Sequence, residues 1–356
     1  MDFGLFIRRL RLIPNDMSGY FLRRFLLVIP TFLGITLMVF AVTRVVPGGP
    51  IDRALAQAQA VQEGQSGMAA REETNSTLST AQLDQLKAYY GFDKPILESY
   101  VHWLGNVVQL DLGMSTRYNE PVWETIAMRL PISIYYGVVT LILTYLICIP
   151  LGIYKGIKHS GTFDHASSAI VFIGYAVPGY IVGIALLTVL ASENEVFPLG
   201  GFVSDDFDDM ELGEQIRDVI WHSVLPLISY MVGSFAVMTF MVKNSLMDNL
   251  AADYVRTAMA KGRSFGGAVW HHALRNSLIP LATHFGNNIA IILTGSLLIE
   301  TIFNIDGFGL LGYESLVERD YPVVLGILVI SSLLFLIGNI LSDLCVALVD
   351  PRVKFQ

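Results

Sequence analysis

Residues 132–154 read ISIYYGVVTLILTYLICIPLGIY, a run without a single charged side chain. A helix needs about 20 mostly apolar residues to cross the hydrocarbon layer of a bilayer, and this run meets that demand. Five more stretches do so on either side of it: Phe25–Val46, Ala166–Ala191, Val224–Val242, Ile279–Phe303 and Tyr321–Val349. The composition agrees, since 53% of the 356 residues are hydrophobic, only 15% are charged and the mean hydropathy is +0.54, outside the usual soluble range. The expected fold class is an all-α membrane protein with six transmembrane helices. The first span is too long for the apolar core of a cleavable signal, and Pro47-Gly48-Gly49-Pro50 after it reads as a turn, not a small-residue cleavage site. It stays as an anchor.

The net charge of −8 says little until charge is sorted by side of the membrane. Lys and Arg in short loops resist translocation, and they cluster before the first span (Arg8, Arg9, Arg11, Arg23, Arg24), at Lys155 and Lys158, between Lys243 and Arg275, and at Arg352 and Lys354. These segments are expected to be cytoplasmic, with both termini inside. The alternate short connections hold only Arg217 and Arg319, and the former is crowded with acids from Glu193 to Asp218. The expected order is a cytoplasmic segment at 1–24, a first span at 25–46, an external loop module at 47–131, five spans within 132–349, and a cytoplasmic tail at 350–356. Cys148 and Cys345 both fall in apolar stretches, so no disulfide framework or cysteine metal site is expected.

Within the external connection, residues 54–80 read as a polar linker. Leu83, Leu86, Tyr89 and Tyr90 then follow helical spacing up to Gly91, and Tyr100, Trp103, Leu104, Val107 and Val108 mark a second helix. The pair reads as a small external module able to touch another protein. Phe3, Phe6, Ile7 and Leu10 beside Arg8, Arg9 and Arg11 fit either an amphipathic helix in the headgroup layer or a basic tail.

Catalytic motifs are missing. No Gly-rich phosphate loop followed by Lys is present, so the usual cradle for ATP is absent. His271 and His272 are adjacent and would point about 100° apart on a helix, so they do not converge on one metal. His284 and Ser296 lack a third orienting group for a hydrolase.

Polar residues gather in the fifth span. His284, Asn287, Asn288, Ile291 and Gly295 recur at spacings of three and four and share one face of an expected continuous helix. Burying amides against lipid is costly, so this face is expected to see water or neighbouring helices. A lining of a translocation path and a tie to adjacent helices are both open. Pro178, flanked by Gly174, Gly179 and Gly183, reads as a kink or a close helix contact in the third span.

The segment 244–280 is the most distinctive. Met247, Leu250, Ala251, Tyr254, Val255 and Ala258 make one apolar helical face, with Asp253 and Arg256 elsewhere around it. Gly262 suits a left-handed stop and Ser264 a cap for the next helix. A helix, a sharp turn and a second helix in a cytoplasmic loop make a docking element.

Asp253-Tyr254-Val255-Arg256-Thr257-Ala258-Met259-Ala260-Lys261-Gly262, with Ala273-Leu274-Arg275-Asn276 and Leu278-Ile279-Pro280, resembles the coupling-loop signature of binding-protein-dependent importer permeases of the ATP-binding cassette (ABC) class. Tyr90 to Pro95, Asp111-Leu112-Gly113, Gly295 to Glu300, Gly307 to Tyr313 and Asp350-Pro351-Arg352 are similar to the dipeptide and oligopeptide branch, so the resemblance runs from about Tyr20 to Arg352. It implies the six-span fold of type I importer permeases in a bacterial inner membrane. It also implies a second homologous permease subunit, two ATPase subunits or one fused ATPase that bind ATP and Mg, an external peptide-binding protein and peptide-like cargo that can include peptide antibiotics. This chain would bind no cofactor and no nucleic acid and would hydrolyse nothing itself. Met247, Leu250, Asp253, Tyr254, Arg256, Thr257, Ala258, Lys261 and Gly262 are the implied ATPase-coupling residues. Arg256-Thr257-Ala258 stands where the general signature has Glu-Ala-Ala, which leaves Asp253 as the candidate acidic contact. The alternatives are an ion-coupled secondary transporter, for which paired intramembrane carboxylates or repeated broken helices are expected, and a non-transporting membrane adaptor.

Overall fold

A computed structural model describes residues 17–45, 94–293 and 295–349 of the chain. The expectations for the first 16 residues, the Pro47–Pro50 turn, the 54–80 linker, the helix through Leu83 and Tyr90, and the 350–356 tail lie outside the described residues.

Everything regular among those residues is helical, apart from one isolated bridge between Met114 and Pro121. Helix α1 spans Met17–Val45, α2 Ile96–Val108, α3 Val122–Ile157, α4 Thr162–Ala176 and α5 Gly179–Leu186, which continues as a π turn through Leu187–Glu193. After an irregular stretch come α6, Leu212–Ala251, α7, Asp253–Ala260, and α8, Phe265–Ala268. A π turn at Val269–Ala273 leads to α9, Leu274–Ser277, followed by α10, Ile279–Leu293, α11, Leu297–Ile302, α12, Phe308–Val317, and α13, Tyr321–Val349. Four of these, α1, α3, α6 and α13, are long and apolar enough to cross a membrane, and α4 with α5 makes a fifth span if the bent pair counts as one.

Two spans are not straight: the third bends at Pro178, where a kink or close contact is expected, and the fifth departs from the expected continuous helix. The third is bent by 96° between α4 and α5, because Val177 and Pro178 are extended and Pro178 has no amide hydrogen to continue the ladder. The glycines after it allow close approach: a side chain at Gly179 would strike the Ser229 carbonyl, and one at Gly183 would come within 3.0 Å of Ser229 Oγ. The fifth is broken. Helix α10 ends at Leu293, Gly295 takes a positive φ of 74°, Ser296 is extended and α11 starts afresh. Gly295 therefore does not share a helical face with His284 and Asn288, which corrects the continuous-helix reading.

The chain divides into two compact units, one of residues 1–29, 130–310 and 333–356, the other of 30–129 and 311–332. In the first, Gly152 and Gly156 are one helical turn apart on α3 and let α6 pack directly on it. A Cβ at Gly152 would lie 2.6 Å from Val242 Cβ, and one at Gly156 3.0 Å from Leu246. The resulting core joins Cys148, Ile153, Met238, Val242 and Leu246 to Val255, Ala268, Val269, Ala273 and Leu281. A second core gathers Tyr136, Leu225, Ile299, Phe303 and Ile305. Helix α6 opens on a reciprocal capping box between Glu211 and Glu214, and its 40 residues give a rod about 60 Å long.

In the second unit, Ser115 Oγ donates to Asp320 Oδ2 at 2.5 Å, and Arg117 bridges Glu314 and Glu318 at 2.6 and 3.1 Å. Burial and then its hydrogen bond to Glu314 raise the Tyr118 phenol above its ordinary pKa. These polar ties hold the 111–121 loop against α12 and the start of α13, while Val122 and Ile126 fill the space beside Gly326.

Candidate coupling site

The candidate site is the end of α6 with α7 and α8. The sequence places Met247, Leu250, Tyr254, Val255 and Ala258 on one helix, but α6 stops at Ala251. Ala252 is extended, with φ −72° and ψ 147°, and α7 begins at Asp253 in a new direction. The single apolar face is therefore split. Val255 turns fully inward and Leu250 packs partly against the same core. Met247 and Ala258 are half-buried, whereas Tyr254 is exposed. Tyr254 is held nonetheless, because its hydroxyl donates to Asn249 Oδ1 at 2.5 Å and accepts from Asn276 Nδ2 at 3.2 Å.

Helix α7 ends at the expected turn. Gly262 has φ 90°, its amide donates to Met259 O at 2.9 Å, and Arg263 N donates to Ala258 O at 3.2 Å. A side chain at Gly262 would meet nothing within 4 Å, so the glycine is required by backbone conformation and not by crowding. Ser264 then caps α8 by accepting from Gly267 N at 3.3 Å. Asp253, Arg256, Thr257 and Lys261 all point to solvent, with Asp253 and Arg256 3.9 Å apart. Beside them stand three large apolar residues that helical periodicity did not single out: Met259, Phe265 and Trp270, the last 63% exposed. Their signal in the sequence is composition, namely bulky apolar side chains in a loop otherwise rich in charge.

What makes this surface a firm platform is the layer beneath it. Ala268, Val269 and Ala273 are buried with Val255, and Ser277 Oγ donates to Ser245 O at 3.3 Å. The His271 ring is exposed and lies 3.0 Å from the Gly267 carbonyl.

Eight residues before its end at Ala251, α6 carries a buried charge cluster around Lys243. Lys243 Nζ donates to both oxygens of Asp164 at 2.7 Å, and Lys155 Nζ lies 3.2 Å from Asp164 Oδ1. Lys155 has no exposed surface; it donates also to Ser167 Oγ at 2.7 Å and Ser168 Oγ at 2.8 Å. Two cations on α3 and α6 thus share one carboxylate on α4, which ties three helices at one level.

The candidate path residues are less united. His284 is exposed on α10, and Asn288, one turn on, is half-buried with its Nδ2 4.0 Å from Met238 Sδ. The side chains of Asn287 and Ile291 lie outside the described residues. Gly295 serves the break instead, since a Cβ there would collide with Glu300 and lie 2.9 Å from Gly309 N. Glu300 is fully buried and accepts from Leu310 N at 2.7 Å, Ser133 Oγ at 3.0 Å, Tyr230 Oη at 3.3 Å and Ser296 N at 3.3 Å. Asp343 faces Arg24, whose Nε is 2.6 Å from Oδ2.

Comparison with known proteins gives the family of the chain. The profile of the family described as "Binding-protein-dependent transport system inner membrane component" matches residues 148–355. The inner membrane ABC transporter permease protein YejB of Escherichia coli O157:H7 is 38% identical over 96% of this chain and 100% of its own length. The peptidoglycan transport system permease protein YejB of Agrobacterium fabrum is 40% identical over 96% and 99%. The oligopeptide transport system permease protein AppB of Bacillus subtilis is 34% identical over 95% and 100%. With a matched profile over more than half its length and relatives of this identity along nearly all of it, the chain belongs to the binding-protein-dependent transport system inner membrane component family, the permeases of ABC transporters.

Proposed function

We propose that this permease imports peptides or peptide-like compounds and that the α7–α8 platform is where a partner ATPase engages it. The observation that carries the reading is the two-sided build of residues 253–273: Tyr254, Met259, Phe265 and Trp270 project outward while Val255, Ala268, Val269 and Ala273 are locked into the core shared by α3 and α6. Exposed aromatic and Met side chains are the usual anchors of protein contacts. A force applied to such a surface passes directly into the spans. Asp253, Arg256, Thr257, Ala258, Lys261 and Gly262 form its rim and turn, and Met247 and Leu250 support it from behind.

In this reading the platform faces the cytoplasm, where two ATPase subunits or one fused ATPase bind ATP and Mg. A second, homologous permease encloses the path, and an external binding protein delivers cargo. Nucleotide drives alternating access only if it favours one permease state over the other. Names of relatives for oligopeptide and peptidoglycan transport support a peptide-like cargo. His284 and Asn288 on α10, with Asn287 and Ile291 in the same register, are the candidate path residues.

An ion-coupled transporter fits less well. Glu300 is enclosed by four donors and Asp343 faces Arg24, so neither acid is arranged as a carboxylate pair for proton relay. Purification of the chain with its native partners, followed by ATP hydrolysis with and without the binding protein, tests the proposal. Stimulation of hydrolysis by cargo-loaded binding protein is expected. Transport driven by an ion gradient, without ATPase subunits, would overturn it.

A further inference from the structure

Helix α2, Ile96–Val108, divides its circumference into three sectors. At about 100° per residue, Leu97, Val101, Leu104 and Val108 fall within about 60° of one another. Leu97, Val101 and Val108 are 65, 62 and 78% exposed. Glu98 and His102 form an exposed polar sector centred about 110° further round. Tyr100 and Val107 occupy the remaining, buried side, with the half-buried Trp103 beside them. A helix in water has no reason to present a bulky apolar sector beside a charged one. A helix at the junction of protein, hydrocarbon and water has reason for all three.

Depth decides between these settings. The Tyr100 hydroxyl donates to the Leu33 carbonyl at 3.1 Å and lies 2.9 Å from Thr36 Oγ1. Its ring and that of Trp103 lie 5.7 and 5.4 Å from the Phe40 ring. Leu33, Thr36 and Phe40 all belong to the apolar window Leu22–Ala41 of α1, of which only 11% is buried by this chain. Trp103 also shares a narrow cleft with Ile35 and Val39 of α1 and with Leu325 and Val329 of α13. Leu33 lies eight residues inside the window's end at Ala41, about 12 Å along the helix axis. A module floating in the aqueous phase could not place Tyr100 there.

We propose that α2 is an interfacial helix sunk into one leaflet, with the Leu97, Val101, Leu104 and Val108 sector against lipid acyl chains and Glu98 and His102 at headgroup level. This replaces the reading of this helix as part of an external protein-binding module. Tyr100 and Trp103 are the amphipathic anchors expected at such a level. The Lys94–Glu98 ion pair, at 3.3 Å, lies on the headgroup side.

The test uses the full chain with Cys148→Ala and Cys345→Ala, reconstituted in vesicles with its co-purified subunits. An environment-sensitive fluorophore is attached at Val101→Cys, at Leu97→Cys as an independent second site, and at Glu98→Cys on the polar sector. Lipids brominated on their acyl chains are expected to quench the first two probes several-fold more strongly than iodide in the buffer, with the order reversed at Glu98. Stronger quenching of Val101 and Leu97 by iodide would return the helix to the aqueous phase. Protection of both from either quencher would mean that protein, a second permease or the binding protein, covers the sector; each result overturns the proposal.

Discussion

Lys155 and Lys243 enter the sequence reading only as basic markers of one side of the membrane, and the structure gives them a second role. Both surround Asp164, an acid that hydropathy and motif reading pass over because its partners are 9 and 79 residues away. Pairing over such separations leaves no local pattern. The cluster holds two cations and one anion, which fixes the order of damage. Asp164→Asn leaves two buried ammonium groups without a counter-charge and is expected to destabilise the protein by about 3–5 kcal/mol. Lys243→Met leaves Lys155 and Asp164 as a neutral pair and is expected to cost less. Thermal unfolding of the two variants in detergent measures the order; a reversed order would mean that the carboxylate is not the shared counter-ion.

At the scale of elements, apolar runs marked the four long helices, and Tyr321–Val349 coincides with α13. The bend at Pro178 was legible from the proline, but the break at Gly295 was not. A hydropathy window averages across Gly295 and Ser296, whose conformation is set by Glu300 drawing in the amides of Ser296 and Leu310. The split of the candidate coupling face at Ala252 is similar, since an extended residue between two helices leaves the periodicity nearly unchanged over one turn. The turn at Gly262 was legible, because positive φ is a property of the residue itself. Gly262→Val places a β-branched side chain where φ is 90°, at a strain of roughly 1–3 kcal/mol, whereas Gly262→Asn keeps a residue that tolerates this region. Recovery of ATPase subunits on purification is expected to fall with the first and to stay near normal with the second. Trp270→Ser removes an exposed anchor without touching the core, so it is expected to lower the same recovery while leaving the amount of permease in the membrane unchanged. Normal recovery for both Gly262→Val and Trp270→Ser would remove the platform from the coupling interface.

For the molecule as a whole, family and fold class were legible because they rest on local motifs and on apolar length. The proposed sidedness follows from the distribution of basic residues among the short loops. With Cys148 and Cys345 replaced by Ala, single cysteines at Asp206 and Ser264 are expected to react with an impermeant thiol reagent from opposite sides of the membrane. Reaction of both from one side would refute the proposed arrangement.

The length of α6 has its own consequence. Its apolar part, Val224–Val242, covers about 28 Å, close to the thickness of the hydrocarbon layer, and the helix continues for nine residues to Ala251, about 13 Å more. A headgroup layer is roughly 5–8 Å deep on each side. An upright α6 therefore carries its end at Ala251, where the turn into α7 begins, beyond the lipid. On the proposed placement, a partner subunit reaching that end of α6 would bind without displacing a phospholipid.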